Sequence, residues 1–154
     1  MRFTPLIVEY LYINNKIIWH ANGERIRRMH RIFNNNEMKK IVFYSPDFTL
    51  NLSLLMYLQS NYSITTTTDI EDLKAITSSF NSDLIILDTP PTIDVETLCR
   101  HLKEFNSKTP IILLYVFDNK LKILDENIRK YVNTVFYKPF DLENVTHQLS
   151  MLTN

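Results

Sequence analysis

From residue 40 onward, short apolar runs alternate with longer stretches in which apolar residues recur every three or four positions. "KIVFY" (40–44), "YSITTTT" (62–68), the run ending at Asp88, "PIILLYVF" (110–117) and "NTVFY" (133–137) predict strands. Leu84, Ile85, Ile86 and Leu87 in succession suit a strand covered on both faces. Between these runs, "LNLSLLMYLQ" (50–59) sets Leu50, Leu54, Tyr57 and Leu58 on one helical face. "EDLKAITSSF" (71–80) turns Leu73, Ile76 and Phe80 inward after Asp69 as N-cap, and "VETLCRHLKEF" (95–105) follows Asp94 as cap. "KLKILDENIRKY" (120–131) is a weaker helical stretch, and "DLENVTHQLSML" (141–152), capped by Asp141, carries Leu142, Val145, Leu149 and Leu152 as a stripe. Strands alternating with helices of about ten residues predict parallel βαβ units, an α/β doubly wound sheet with helices on both faces.

Right-handed crossovers bring the carboxyl ends of all strands to one edge, where open α/β sheets hold their ligand sites. Asp47, Asp88, Tyr115 and Lys138 fall at such ends. Asp88 invites two readings, a functional carboxylate or a polar residue that ends a strand and starts the turn through Pro90 and Pro91. The convergence of the four residues favours the first.

Composition narrows the function classes. With 45% hydrophobic and 22% charged residues over 154 positions, the chain suits one soluble domain with an appendage. Seventeen Lys/Arg balance seventeen Asp/Glu, so no overall field draws it to nucleic acid or membrane. Residues 1–38 hold six basic and three acidic residues, and 39–154 hold eleven and fourteen. One cysteine, Cys99, excludes an internal disulfide and suits a cytoplasmic setting. It reads as a buried inert thiol rather than one activated by Arg100 and His101. Gly23 is the only glycine, which excludes the glycine-rich phosphate and dinucleotide loops and the GxSxG elbow. "MRFTPLIVEYLYI" is broken by Glu9 and reads as neither signal nor span. The four histidines (20, 30, 101 and 147) lack ligand spacing and read as surface residues.

Residues 39–153 resemble the receiver domain of two-component response regulators, chiefly through "DLIILDTPP" and "VFYKPFDLENV" and the spacing of the elements. The resemblance implies a flavodoxin-like five-stranded parallel sheet in the order 2-1-3-4-5. It puts Asp88 at the phosphoacceptor position and Lys138 at the lysine that contacts the phosphoryl group, followed by a cis bond to Pro139. It further implies Mg²⁺ held by an acidic pair and the acceptor, since phosphoryl transfer needs positioning and charge neutralisation. Here the pair is Ser45 and Pro46, leaving Asp47 and Asp88 as the only candidate ligands. The two switch positions carry Tyr115, where a small hydroxyl is usual, and Val135, where an aromatic is usual. A bulky phenol and a ringless partner lack the second state a switch needs, so residues 115–140 are expected to hold one conformation.

The extension, residues 1–38, lies outside the resemblance. "LIVEYLYINNKIIWH" reads as a hairpin turning at Asn14-Asn15, and "ERIRRMHRIF" (24–33) as a basic amphipathic helix. The expected whole is a single-domain, receiver-like or pseudo-receiver signalling protein. It would act by contact with a protein, such as a sensor histidine kinase or phosphotransfer protein, with or without phosphorylation of Asp88. A small flavodoxin-like enzyme or ligand-binding domain is the alternative. A DNA-binding regulator is disfavoured because only one helix follows residue 141.

Overall fold

The computed structural model describes residues 10–13, 16–19, 38–79 and 81–153. Contacts divide the chain into two units, Met1–Glu37 and Met38–Asn154. In the first unit, β1 (Tyr10–Ile13) and β2 (Lys16–Trp19) pair antiparallel, with Tyr10 opposite Trp19 and Ile13 opposite Lys16. The expected basic helix at 24–33 and the Asn14-Asn15 turn lie outside the described residues.

The second unit alternates strand and helix throughout: β3 (Lys40–Tyr44), α1 (Phe48–Leu58), β4 (Ser63–Thr67), α2 (Ile70–Ser79) and β5 (Leu84–Asp88) come first. α3 (Ile93–Phe105), β6 (Ile111–Tyr115), a short 3₁₀ turn (Asn119–Leu121), α4 (Lys122–Ile128), β7 (Thr134–Tyr137) and α5 (Leu142–Thr153) complete it. The five strands are parallel and lie in the order β4-β3-β5-β6-β7, which is 2-1-3-4-5 when these strands alone are counted. Every residue of β5 and β6 is buried, which is why their sequences read as unbroken apolar runs.

Alternation along the strands sends side chains to two cores. Ile85, Leu87, Ile111, Leu113 and Tyr115 meet Leu73 of α2, Leu98 and Cys99 of α3 and Ile128 of α4. Ile41, Phe43, Ile86 and Leu114 meet Leu54 and Leu58 of α1 and Val145 and Leu149 of α5. Helix starts follow their caps. Asp47 accepts from the backbone N–H of Thr49 and Leu50, Asp69 from Glu71 and Asp72, and Asp141 from Glu143.

Details of the pattern are corrected. The cap of α3 is Thr92, whose hydroxyl accepts from Val95 N–H, and Asp94 sits inside the first turn. Tyr57 is exposed, and the polar Asn51 takes a buried place on α1 instead. Leu142 is also exposed, because the stripe of α5 narrows to Val145 and Leu149 at its first two turns. Val116 and Phe117 lie beyond β6 and are exposed. Phe80 is outside the described residues. Among the described residues no helix is long and apolar enough to cross a membrane.

Candidate functional site

Order reversal in the sheet occurs between β3 and β5, and the candidate site forms at the carboxyl ends of these two central strands. Asp88, the last residue of β5, is only 4% exposed. A buried carboxylate needs compensation on both oxygens, and both have it. Lys138 Nζ lies 2.6 Å from Oδ1, and the Ser45 hydroxyl donates to Oδ2 at 2.7 Å. Lys138 arrives from the end of β7, where its backbone N–H donates to the Tyr115 carbonyl at 2.8 Å. Its bond to Pro139 is cis. The opposite edge of the site is fixed by Thr89, whose N–H donates to the Leu114 carbonyl.

The loop after β3 is held as tightly. Ser45 is fully buried, and its hydroxyl oxygen also accepts from the Asp47 N–H at 3.0 Å. Asn51 Nδ2 donates to the carbonyls of Ser45 (2.8 Å) and Thr67 (3.2 Å), tying the ends of β3 and β4 to α1. Its Oδ1 is buried and unpartnered. Tyr44, half-buried beside this loop, has its phenol raised above the ordinary value by burial and then by the charges of Asp69 and Asp88.

A second polar cluster lies at the end of β6. The Tyr115 phenol is buried and donates to Asp125 Oδ1 at 2.5 Å. Arg129 Nε donates to Asp125 Oδ2 at 2.9 Å, and its NH2 donates to the Tyr137 hydroxyl at 2.7 Å. The Tyr115 and Tyr137 rings meet edge to face, with centroids 5.4 Å apart. Burial, and then the hydrogen bond to Asp125, push the Tyr115 phenol far above its ordinary range. Burial alone would raise the Asp125 carboxyl, yet hydrogen bonds from Arg129, Tyr115 and Tyr137 hold it below its usual value. The cluster thus joins β6, α4 and β7. Asp125 and Arg129 were legible as an i,i+4 pair on the weak helix, but their link to Tyr115 and Tyr137 was not. Val135 is half-buried against the same core.

These residues do not fit Mg²⁺. Mg²⁺ keeps several waters in its octahedral shell but still needs one or two carboxylates turned toward it. The two Asp88 oxygens already meet Lys138 and Ser45, and the Asp47 carboxylate is turned to the N-terminus of α1. Among the described residues no group of three or more His, Cys, Asp or Glu is placed to hold a metal.

Solved structures similar in fold include a two-component response regulator from Clostridium difficile. It is 21% identical, with 74% of this chain and 94% of that one covered and a TM-score of 0.64. The signal receiver domain of an HD-domain protein from Pseudomonas fluorescens is 20% identical over 77% and 88% of the two chains, with a TM-score of 0.67. TrrA from Thermotoga maritima, solved with Mg²⁺-BeF, is 22% identical over 75% and 99%, with a TM-score of 0.64. The larger unit has the receiver fold. No protein-family model and no curated protein matches the chain. Asp88 and Lys138 stand together at the carboxyl edge of this sheet, with Ser45 beside them.

Proposed function

We propose that this protein is a receiver-like signalling module of a two-component or phosphorelay system, acting by protein–protein contact in a conformation that does not depend on phosphorylation. The observation that carries the reading is that both Asp88 oxygens are partnered, an ammonium on one and a hydroxyl on the other. A buried carboxylate so compensated has its charge balanced by the protein's own groups, without a bound metal. The Tyr115–Asp125–Arg129–Tyr137 cluster supports it from the other side. It fills the space a switch residue would vacate and ties three elements together. The contact surface would be the face of α4, β7 and α5, where Ile123, Tyr137 and Leu142 are exposed.

A second reading, phosphorylation of Asp88, is favoured by the retained 2.6 Å approach of Lys138. The enzyme or ligand-binding alternative has less support. A groove of about 510 Å³ is lined by Ile70, Val95, Leu98, His101 and Phe105, and by neither Asp88 nor Lys138. The deciding experiment is the intact mass of the protein after incubation with a small phosphodonor and Mg²⁺, beside Asp88→Asn. An unchanged mass in both, with both folded, is expected. A gain of one phosphoryl group in the parent alone would replace the proposed reading with the second.

A further inference from the structure

β4 is an edge of the sheet, paired only with β3 among the described residues. Natural sheets blunt their edges with charge, proline or a bulge, because unpaired backbone groups attract another strand. This edge has none of these. No charged residue, proline or glycine occurs between Asp47 and Asp69. Pairing with β3 runs without a break from Lys40–Ser63 to Tyr44–Thr67, so no bulge turns β4 aside.

The ladder fixes where the free groups point. Ser63 N–H donates to the Lys39 carbonyl, and the Thr67 carbonyl accepts from Ser45 N–H. Residues in phase with these, Thr65 included, spend their backbone groups on β3. The N–H and C=O groups of Ile64 and Thr66 therefore point outward.

We propose that β4 pairs with β4 of a second copy of this chain, antiparallel about a two-fold axis at Thr65, joining two five-stranded sheets into one. Ile64 of each copy then exchanges both backbone hydrogen bonds with Thr66 of the other. Thr65 faces its own copy as a non-hydrogen-bonded pair, with Cα atoms about 4.5 Å apart. Charge selects a second copy as the occupant. An isologous contact sets a surface patch against its own duplicate, so a patch of one charge repels itself and an uncharged one does not. α1 packs on β4, carries no charge along its eleven residues, and leaves Phe48, Leu52 and Met56 exposed at successive turns. The helix packed on the edge strand thus presents apolar, uncharged side chains to solvent.

The test is the solution mass of the full chain by sedimentation equilibrium, with three variants. The parent is expected at twice 18.3 kDa. Thr65→Lys, at an exposed position, sets like charges on the axis and is expected to halve the mass with unchanged circular dichroism. Thr65→Cys is expected to cross-link under mild oxidation, because the axis spacing lies within the disulfide range of about 4.4–6.8 Å and the native Cys99 is buried. Ile123→Lys on α4 is expected to leave the dimer intact. A parent that stays monomeric, or pairs this edge with a different protein instead, overturns the proposal. So does a dimer that survives Thr65→Lys, fails to cross-link through residue 65, or dissociates with Ile123→Lys.

Discussion

The Tyr115 hydroxyl donates to the Asp125 carboxylate across 2.5 Å, from the last residue of β6 to the middle of α4, and both residues are buried. The phenol is held at its oxygen by this bond and at its ring by edge-to-face packing on Tyr137. Arg129 and Tyr137 close the cluster from α4 and β7. Titration with a phosphate mimic and Mg²⁺, followed by amide NMR, is expected to shift only resonances of the loop around Asp88 or none. Shifts spreading through Tyr115 into residues 120–137 would show a working switch.

Removing the Tyr115 hydroxyl leaves the buried Asp125 carboxylate with Arg129 and Tyr137 as its remaining donors. Tyr115→Phe keeps the ring and its packing on Tyr137, so the loss isolates the hydroxyl. The expected cost is about 1 kcal/mol, read as a lower urea midpoint with an unchanged slope. No change in midpoint would mean that the hydroxyl contributes nothing net.

Acid should loosen the cluster. The folded Asp125 carboxyl lies below its ordinary value, so its protonation costs more in the folded than in the unfolded chain. Its stabilisation is therefore complete above the ordinary carboxylate value of about 3.9 and is lost as pH falls below it. Asp125→Asn should be less stable than the parent at neutral pH by roughly 1–3 kcal/mol. The gap should narrow below about pH 4. Urea titrations of both proteins from neutral to acid pH measure it, and a gap constant with pH would refute the linkage.

The Asp88–Lys138 pair offers a test by exchange of charge. Lys138→Met strips the ammonium from a buried carboxylate and should cost about 1–3 kcal/mol, discounted because the lysine side chain is 29% exposed. Adding Asp88→Asn to Lys138→Met should recover most of that loss, since no uncompensated charge then remains. A double mutant as unstable as the single would show that packing of the lysine stem, rather than charge, sets the cost.

Cys99 has no exposed surface, and burial pushes its thiol up to about 12. At neutral pH the thiolate fraction is negligible and the sulfur is out of reach. A thiol reagent is expected to label the protein only after denaturant unfolds it. Rapid labelling of the folded protein would reveal opening of α3 from the sheet.

Local chemistry in the sequence determined the alternation of strand and helix, the two fully apolar strands, the caps at Asp69 and Asp141, and the presence of Asp88 and Lys138 at one sheet edge. Period and capping depend on neighbours within a turn or two, so a linear pattern records them. It also misled where two short-range signals competed. Asp94 resembled a cap, but the hydroxyl of Thr92, two residues earlier and immediately before α3, takes that place. Only the tertiary structure decided how the polar groups are used. Ser45 reaches Asp88 across a sequence separation of 43, and Asp47 turns to α1 rather than toward Asp88. Tyr115, Asp125, Arg129 and Tyr137 form one cluster because β6 and β7 pair in register, with Tyr115 opposite Tyr137, and α4 packs between them in sequence and beside them in space. Hydrogen bonds between elements depend on distances that no periodicity encodes.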